Sequence, residues 1–227
     1  MSSTNRGSDR IPRDAYYTDQ RVALALTTRL VAWAGEVTID TVLEPSVGRG
    51  AWAAAIKRCS PRACVFGIDV DPDANRADLT AFSCGDFMRQ STIAKFAPEF
   101  FDLVLGNPPY ARLEEDLGGN PTGRLGPSQK PIMEECASLH VIRALEVVRV
   151  GGIVAFLLRA GFFEGRDRGD LFSTGEIPPP AAIWKLGARP SFVGGATDSC
   201  PYEFVVWRRG FTGTTALQWP PVRWKDE

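Results

Sequence analysis

Short apolar runs alternate with helix-like segments along this sequence of 227 residues, and that alternation constrains the fold more than any other feature. Runs that predict strands cover residues 41–43, 63–68, 81–84, 101–105, 153–158, 182–186 and 203–208. Apolar residues at helical spacing predict helices over residues 20–34, 51–58 and 133–150. Strands that alternate with helices favour an α/β fold, so we expect a doubly wound, seven-stranded and mostly parallel sheet.

Capping and turn residues predict where several of these elements begin and end. Thr18 precedes the first helix and is the predicted N-cap. Gly151 and Gly152 follow the third helix and predict its end. Asp71 stands directly before Pro72, a pair that favours a helix capped by the Asp71 carboxylate after the second strand.

The length of the chain suits a single α/β domain. We expect a flexible leader over residues 1–14, one folded domain over 15–211 and a tail over 212–227. Stretches rich in glycine and proline are expected as loop insertions at 111–131 and 165–198. Both follow predicted strands, and an open α/β sheet binds ligands beyond the carboxyl ends of its strands. Both are therefore candidate substrate-facing loops.

Composition argues against several classes of protein. No apolar run approaches the roughly 18 residues that span a bilayer, and residues 1–14 lack the apolar centre of a secretory signal. The five cysteines are scattered and never form a C-x-x-C pair, which argues against a disulfide framework and against a zinc site. They fit a reducing, cytoplasmic environment. His140 is the only histidine, so no histidine-based triad or metal centre is expected.

The net charge of −1 does not identify a binding partner, because local charge matters more than the sum. Basic residues gather late in the chain, at Arg143, Arg149, Arg159, Arg166, Arg168, Arg208, Arg209, Arg223 and Lys225. A solvated surface and a phosphate-contacting face explain this pattern equally well.

A glycine-containing loop joins the first predicted strand to the second predicted helix. It contains Glu44, Pro45, Ser46, Gly48 and Gly50. The glycines allow a tight turn and a close approach of a ligand, and the helix N-terminus that follows favours a carboxylate. No Gly-Lys-Ser/Thr follows, so this is not a phosphate-binding P-loop. Ala53 stands where a dinucleotide-binding motif has its third glycine; alanine is tolerated there, and dinucleotide binding stays open.

Acidic residues follow the next two predicted strands. Asp69 comes directly off the second strand, where a carboxylate can accept both ribose hydroxyls of an adenosine-containing cofactor. Asp86 follows the third strand and can accept the adenine amino group, while Phe87 can pack on the adenine ring. A single acid in such a place is more often a helix cap, but acids after three successive strands indicate a binding site.

The fourth predicted strand runs directly into Asn107-Pro108-Pro109-Tyr110. The prolines fix the backbone and remove two amide donors, which leaves carbonyl groups free to accept hydrogen bonds. The Asn107 side-chain oxygen and a proline carbonyl can then take both protons of an amino group and aim its lone pair at a methyl sulfonium. Tyr110 offers a flat face to the ring or amide that carries the nitrogen. Ordinary turn chemistry is the alternative explanation of this tetrapeptide.

These motifs, in this order, resemble those of the gamma-type DNA adenine-N6 methyltransferases, in which a cofactor-binding segment precedes Asn-Pro-Pro-Tyr. The resemblance covers residues 15–110 closely and 133–208 more loosely. It implies a Rossmann-like class I methyltransferase fold with a C-terminal antiparallel hairpin strand. It also implies S-adenosylmethionine as cofactor, and DNA as a substrate whose target adenine is flipped out of the duplex.

The resemblance also assigns residues to the cofactor. Tyr17 and Thr18 belong to a segment that folds over its methionine part, with Thr18 on the carboxylate. The methionine-side loop consists of Glu44, Pro45, Ser46, Gly48 and Gly50. The ribose and adenine contacts are Asp69, Val70, Asp86 and Phe87, and Asn107 lies between cofactor and substrate.

By the same resemblance, the target base lies between Tyr110 and a second aromatic side chain. Tyr202 or Phe204 on the last predicted strand is the expected partner of Tyr110. Phe162, with Phe163 beside it in the sequence, is a further candidate for lining the pocket.

One departure from the family pattern concerns target recognition. Many members carry a separate target-recognition domain, and none is expected here because only the tail follows the last predicted strand. Recognition then falls to the loops, to a partner subunit or to single-stranded substrates. The alternatives to DNA are adenine in RNA, a glutamine amide in a protein, or a catalytically silent cofactor-binding subunit that contacts DNA. Membership of a restriction–modification pair and a phage origin both fit the sequence.

Overall fold

The computed structural model of the chain describes residues 17–109, 136–164, 169–187, 190, 192 and 200–219. The predicted leader over residues 1–14, the predicted loop insertion over 111–131 and Tyr110 lie outside the described residues.

Eight strands form one sheet in the described part of the chain. They are β1 (Thr41–Glu44), β2 (Cys64–Asp69), β3 (Ala81–Cys84), β4 (Phe101–Gly106), β5 (Val148–Arg159), β6 (Ala182–Lys185), β7 (Tyr202–Arg208) and β8 (Ala216–Gln218). Their order across the sheet is β3-β2-β1-β4-β5-β7-β6-β8. Only β7 runs antiparallel to its neighbours, which confirms the predicted antiparallel strand near the C-terminus.

Helices cover both faces of this sheet. They are α1 (Gln20–Ala34), α2 (Ala51–Cys59), α3 (Gln90–Ile93), α4 (Cys136–Val147) and α5 (Gly169–Ser173), with a 3-10 helix at Ala160–Glu164. The two faces of β4 show the division, because Leu103 and Leu105 pack in the cluster that contains α1 and α2, while Val104 packs in the cluster that contains α4. Successive residues of a strand point to opposite faces of the sheet. A strand that is buried on both faces is therefore apolar throughout. The doubly wound α/β fold is therefore confirmed.

The sheet has eight strands, not the predicted seven, because β8 lies within the predicted tail over residues 212–227. It pairs in parallel with β6, so that part of the tail belongs to the domain. The predicted loop insertion over 165–198 likewise contains α5 and β6.

The glycine pair after α4 does not end that helix. The helix ends at Val147, and Gly151 and Gly152 lie inside β5. Gly151 has a φ of 78°, and a side chain on Gly152 would meet the Asp102 carbonyl at 2.9 Å. The pairing register with β4 shifts at this point, so the two glycines form a bulge. A glycine pair is compatible with a helix end or with a bulge in a strand. Here the pairing of β5 with β4 places the two glycines in a bulge.

Two predicted helix caps are also wrong. Asp19, not Thr18, caps α1, since its carboxylate accepts the Arg21 amide at 2.8 Å. No helix follows Pro72, because residues 70–80 form turns in the described structure. The Asp71 carboxylate instead accepts the Asp73 amide at 3.0 Å, which is an Asx turn.

Candidate active site

The parallel strands β2, β1 and β4 lie side by side, so their carboxyl ends meet at one edge of the sheet. Glu44 ends β1, Asp69 ends β2, and Asn107 follows β4. Residues separated by up to 63 positions in sequence are thereby brought to one edge, as the strand assignments predict. Sheets of this kind bind ligands there.

The loop after β1 forms the tight turn that its glycines predict. Gly48 and Gly50 have φ values of 51° and 75°, a region that favours glycine, and Gly50 is the N-cap residue of α2. Asp69 fixes this turn from the neighbouring strand, since its carboxylate accepts the Gly48 amide at 2.7 Å. The other carboxylate oxygen accepts the Asp71 amide at 2.8 Å. Asp69 thus already supports the glycine loop, and each of its oxygens retains a further lone pair for a ligand.

Asn75, a residue not singled out from the sequence, holds the same loop from outside. Its amide N–H donates to the Gly48 carbonyl at 2.9 Å, and its side-chain amide donates to the Arg49 carbonyl at 3.0 Å. A side chain on Gly50 would approach Asn75 to 3.2 Å, which explains the need for glycine there. This role could not be predicted, because Asn75 falls in the segment predicted as a helix after Pro72. An asparagine also gives no sequence signal of a hydrogen-bond partner that lies far away along the chain.

Glu44 is fully buried beneath the loop. One carboxylate oxygen accepts the Ala53 amide at 2.9 Å, in the first turn of α2, and the other has no hydrogen-bond partner among the described residues. Burial raises the pKa of Glu44 well above its ordinary value, and the nearby charge of Asp69 adds to the rise. A buried carboxyl group with an open oxygen is costly unless a ligand or its own proton compensates for it.

The segment before α1 lies against the glycine loop. A side chain on Gly48 would come within 2.7 Å of the Tyr17 ring, and the Arg49 guanidinium lies 5.0 Å from the centre of that ring. Thr18 is 5% exposed, and its hydroxyl has no hydrogen-bond partner among the described residues. Its backbone forms a short antiparallel bridge with Phe192. Thr18 therefore lies at the predicted place, with a donor available.

Two hollows flank this contact. A narrow cavity of about 30 Å³ is lined by residues of the N-terminal segment, of the glycine loop and of β4, namely Tyr17, Thr18, Ser46, Val47, Gly48, Arg49, Ala51, Trp52 and Asn107. Asn107 thus shares a cavity with the residues predicted to bind the cofactor.

A wider hollow of about 630 Å³ shares Thr18, Gly48 and Arg49 with the narrow cavity, and the first turns of α1 and α2 line it. Helix N-termini carry unpaired amide donors and favour anions. The end of α1 is already capped by the Asp19 carboxylate, and Asp73 also lines the hollow. The end of α2 has no side-chain cap at Gly50, so this end, with the Thr18 hydroxyl that has no partner among the described residues, is the part that suits a carboxylate.

The predicted adenine side is only partly open. Val70 is 51% exposed at the end of β2, where an apolar side chain can cover a ring. The Asp86 carboxylate accepts the Met88 amide at 2.9 Å and lies 3.6 Å from the Arg89 guanidinium. Phe87, however, is 2% exposed and packs against the His140 ring. Its ring faces the core and is not open to a ligand.

The predicted aromatic partners for a target base are buried as well. Phe204 is 0% exposed, with Trp52 stacked at 5.7 Å and Trp184 at 5.4 Å. Tyr202 packs against Phe192, and Phe162 packs among Phe163, Phe172 and Trp207. None of the three predicted side chains offers an open face to a base. The sequence could not show this, because the alternation of residues along β7 does not reveal which side chains other segments cover.

Helix α4 contributes two buried contacts that the sequence did not indicate. The Arg143 guanidinium donates to the Met88 carbonyl at 3.2 Å, and so holds the segment after Asp86. The His140 ring lies 3.1 Å from the Ser46 hydroxyl in the glycine loop. One helix therefore contacts the loops on both sides of the candidate site.

Within the described residues, no cluster of three or more histidine, cysteine or acidic side chains is arranged to hold a metal ion. In that same part of the chain, no helix is long and apolar enough to cross a membrane.

No protein-family model matches the sequence, and no curated protein matches it either. Solved structures do share its architecture. A Listeria monocytogenes protein described as a class I S-adenosylmethionine-dependent methyltransferase superposes with a TM-score of 0.69 at 14% identity, over 96% of this chain and 69% of the other. The methyltransferase subunit of a type I restriction-modification system from Streptococcus thermophilus superposes with a TM-score of 0.61 at 20% identity, over 90% of this chain and 46% of the other.

A Pyrococcus horikoshii protein described as an RNA methyltransferase gives a TM-score of 0.60 at 14% identity, over 90% of this chain and 91% of the other. The chain thus spans less than half the length of the streptococcal subunit but nearly all of the archaeal protein. At these low identities the likeness establishes architecture and not substrate. The chain has the class I methyltransferase fold.

Proposed function

We propose that this protein transfers a methyl group from S-adenosylmethionine to an exocyclic amino nitrogen, and that its substrate is the N6 amino group of adenine in DNA. The observation that carries the proposal is the cavity shared by Asn107, Ser46 and Thr18. In that cavity the end of β4 meets the glycine loop and the N-terminal segment. A group held by the loop and an amino group held by Asn107 are thus brought close together.

The donor and acceptor groups at this edge fit the cofactor. The Thr18 hydroxyl, which has no partner among the described residues, and the N-terminus of α2 suit its carboxylate. The open Glu44 oxygen suits a cationic partner, and the left-handed turn at Gly48 allows close approach. Asp69 suits the ribose, and Val70 with Asp86 suits the adenine.

S-adenosylmethionine supplies a methyl group on a positively charged sulfonium. The Asn107 side-chain oxygen and the Pro108 carbonyl accept the two amino hydrogens of the substrate, which turns the nitrogen lone pair out of conjugation. Proline at 108 and 109 keeps this backbone fixed, because the rings restrict φ. Both prolines are at least half-buried, so the carbonyl direction is set before substrate binds. No dedicated base is required, since the nitrogen becomes acidic only after methyl transfer.

The target base requires an aromatic contact, and Tyr110 is proposed as one such residue. The burial of Phe204, Tyr202 and Phe162 argues against the partners predicted from sequence. The same argument applies to Phe192, whose backbone bridges to Thr18 beside the cavity but whose side chain is only 2% exposed.

Adenine in RNA is the second candidate substrate. The similarity to the Pyrococcus horikoshii protein over nearly the full length of both chains favours it. The similarity to the streptococcal restriction-modification subunit favours DNA, together with a partner subunit that supplies recognition. A cytoplasmic location is part of the proposal, because the five cysteines are free and suit a reducing environment.

The decisive experiment supplies mixed DNA, RNA and protein pools with tritiated S-adenosylmethionine, followed by nucleoside mass spectrometry. We expect label in N6-methyladenine from DNA. Label confined to RNA would show that RNA is the substrate and would leave the proposed reaction unchanged. Label confined to protein would overturn the proposal that the substrate is a nucleic acid.

A further inference from the structure

His140 is a buried histidine that the proposed chemistry does not use. It is 3% exposed in α4, and its Nδ1 atom lies 2.8 Å from the Cys136 carbonyl. Its Nε2 atom lies 3.1 Å from the hydroxyl of Ser46, which lines the cavity shared with Asn107. Its ring packs against Phe87 at 5.4 Å between ring centres. One imidazole thus joins α4 to both loops of the site.

The positions of hydrogens in this contact follow from what each group can donate. The Cys136 carbonyl only accepts, so Nδ1 must carry a proton. A neutral imidazole has a single N–H, and Nε2 is then an acceptor. The only hydrogen available to Nε2 in this contact is that of the Ser46 hydroxyl.

A second acceptor competes for the same hydrogen. The Ser46 oxygen also lies 2.8 Å from the Pro45 carbonyl, which cannot donate. The hydroxyl has one hydrogen, and these two acceptors engage it. Ser46 lines the cavity, and its oxygen then has only lone pairs to offer a ligand there, which suits a donor such as an ammonium group.

Burial keeps the imidazole neutral. It lowers the pKa of His140 to about 4, against the weaker opposing effects of the Cys136 carbonyl and of the Asp86 and Asp69 carboxylates. The acceptor at Nε2 therefore persists through the neutral range.

We propose that His140 is a positioning residue for cofactor binding, which holds the Ser46 hydroxyl as a hydrogen-bond acceptor towards the ammonium end of the cofactor. This inference rests on the proposed cofactor site. It gives α4, which makes no contact with a substrate in this proposal, a role in cofactor affinity.

Paired substitutions separate this role from packing. Glutamine at position 140 can offer an acceptor near the place of Nε2, whereas asparagine keeps only the contact with Cys136. We expect His140→Asn and His140→Phe to raise the Kd for S-adenosylmethionine about fivefold to tenfold, the worth of one net hydrogen bond. His140→Gln should stay within about twofold of the wild type. Isothermal calorimetry measures Kd, and kcat at saturating cofactor should stay unchanged in all three variants.

A double-mutant cycle tests whether His140 acts through Ser46. Ser46→Ala should weaken binding by a similar factor, and the Ser46→Ala/His140→Phe protein should bind no worse than either single variant. Additive losses, or equal affinities for the asparagine and glutamine variants, would overturn the proposal.

The wild-type protein offers a measurement that needs no substitution. As the only histidine, His140 gives a single set of imidazole signals in a ¹⁵N-labelled sample. We expect the Nδ1–H tautomer, with an Nε2 signal that shifts when S-adenosylhomocysteine is added. An Nε2–H tautomer would refute the inference even if every variant failed to fold. Absence of any cofactor binding by the wild type would instead refute the proposed function, and the tautomer would still be measurable.

Discussion

Two acidic groups at opposite edges of the sheet, the partly buried Asp102 and the fully buried Glu44, have opposite surroundings. Asp102, at the amino edge, accepts hydrogen bonds from the Asp40 and Thr41 amides at 2.9 and 2.8 Å. It also accepts the Thr41 hydroxyl at 2.9 Å and the Arg149 guanidinium at 2.5 Å. Glu44, at the carboxyl edge, accepts the Ala53 amide and leaves one oxygen open.

The pKa shifts follow this difference. Burial acts to raise the pKa of Asp102, but the hydrogen bonds from Arg149 and Thr41 outweigh it, and that pKa lies below its ordinary value. Burial dominates at Glu44 and raises the pKa there. Asp102 thus has its hydrogen-bond partners within the protein, whereas one Glu44 oxygen has none among the described residues. In the proposed function, the amino edge serves stability and the carboxyl edge serves chemistry.

The largest expected effect is on turnover at the carboxyl edge. Asn107→Ala should lower kcat by about a hundredfold to a thousandfold, because a preorganised acceptor for the amino group is lost. The Kd for S-adenosylmethionine and the free energy of unfolding should change little. Single-turnover methylation of DNA together with calorimetry checks both statements, and an undiminished rate would contradict the role given to Asn107.

The amino edge should show the reverse pattern. Asp102→Ala leaves the Arg149 guanidinium and two amides without their acceptor, and should lower the free energy of unfolding by about 3 kcal/mol. Urea unfolding measures this loss, and the Kd for S-adenosylmethionine should not change. Glu99→Gln is the matched control, since Glu99 forms an exposed ion pair with Arg209 at 3.2 Å. Its expected cost is below about 1 kcal/mol, and an equal cost for the two variants would remove the contrast between buried and exposed acids.

Glu44→Gln sharpens the comparison without a change in shape. Glutamine keeps an oxygen for the Ala53 amide but loses the charge that an ammonium group would pair with. We expect the Kd for S-adenosylmethionine to rise about tenfold, the worth of a hydrogen bond to a charged group. The free energy of unfolding should stay level or rise, since an isolated charge is no longer buried. Lower stability with unchanged Kd would make Glu44 a structural residue like Asp102.

The remaining expected effect is on stability in mild acid. The unfolded chain binds a proton at His140 near the ordinary pKa of 6.5, whereas the folded chain binds it only near about 4. Acid therefore favours the unfolded state between these values, and stability is lost as pH falls. Glu44, with its raised pKa, contributes in the opposite sense, and Asp102 titrates below this range.

Comparison with His140→Phe isolates the histidine, because the other groups are common to both proteins. Between about pH 7 and about pH 5, the wild type should lose about 2 kcal/mol more than the variant in urea unfolding. Equal slopes in the two proteins would show that His140 already carries a proton when folded.

Helix α1 shows how much local pattern can predict. Its bounds, Gln20–Ala34, match those expected from apolar spacing, because one face packs on the sheet throughout its length. The strands that carry Glu44, Asp69 and Asn107 were also placed to within about two residues, as expected of short apolar runs bounded by turns. Strand β8 was missed, since three half-exposed residues carry no pattern of their own.

The candidate site divides in the same way. The glycine loop and the acids at the ends of β1, β2 and β3 could be predicted, because turns and strand ends depend on residues that are close together in the sequence. Asn75 and His140 could not, since each acts on a loop that lies far away in sequence. Phe204 and Tyr202 were expected at the site because they are aromatic and lie on a late strand, and packing against Trp52 and Phe192 removed them from it.

The sequence by itself determined the order of the first seven strands and of helices α1, α2 and α4, and which chemical groups stand at the ends of β1, β2, β3 and β4. These properties depend on the periodicity of apolar residues and on the backbone limits of glycine and proline, which act over a few residues. Only the tertiary structure decided which of those groups are buried, paired or left open. Burial and hydrogen bonding depend on segments that meet across the sheet, as Ser46 and His140 do. The difference between Asp102 and Glu44 has the same origin, because both are acids near the end of a strand and their neighbours differ.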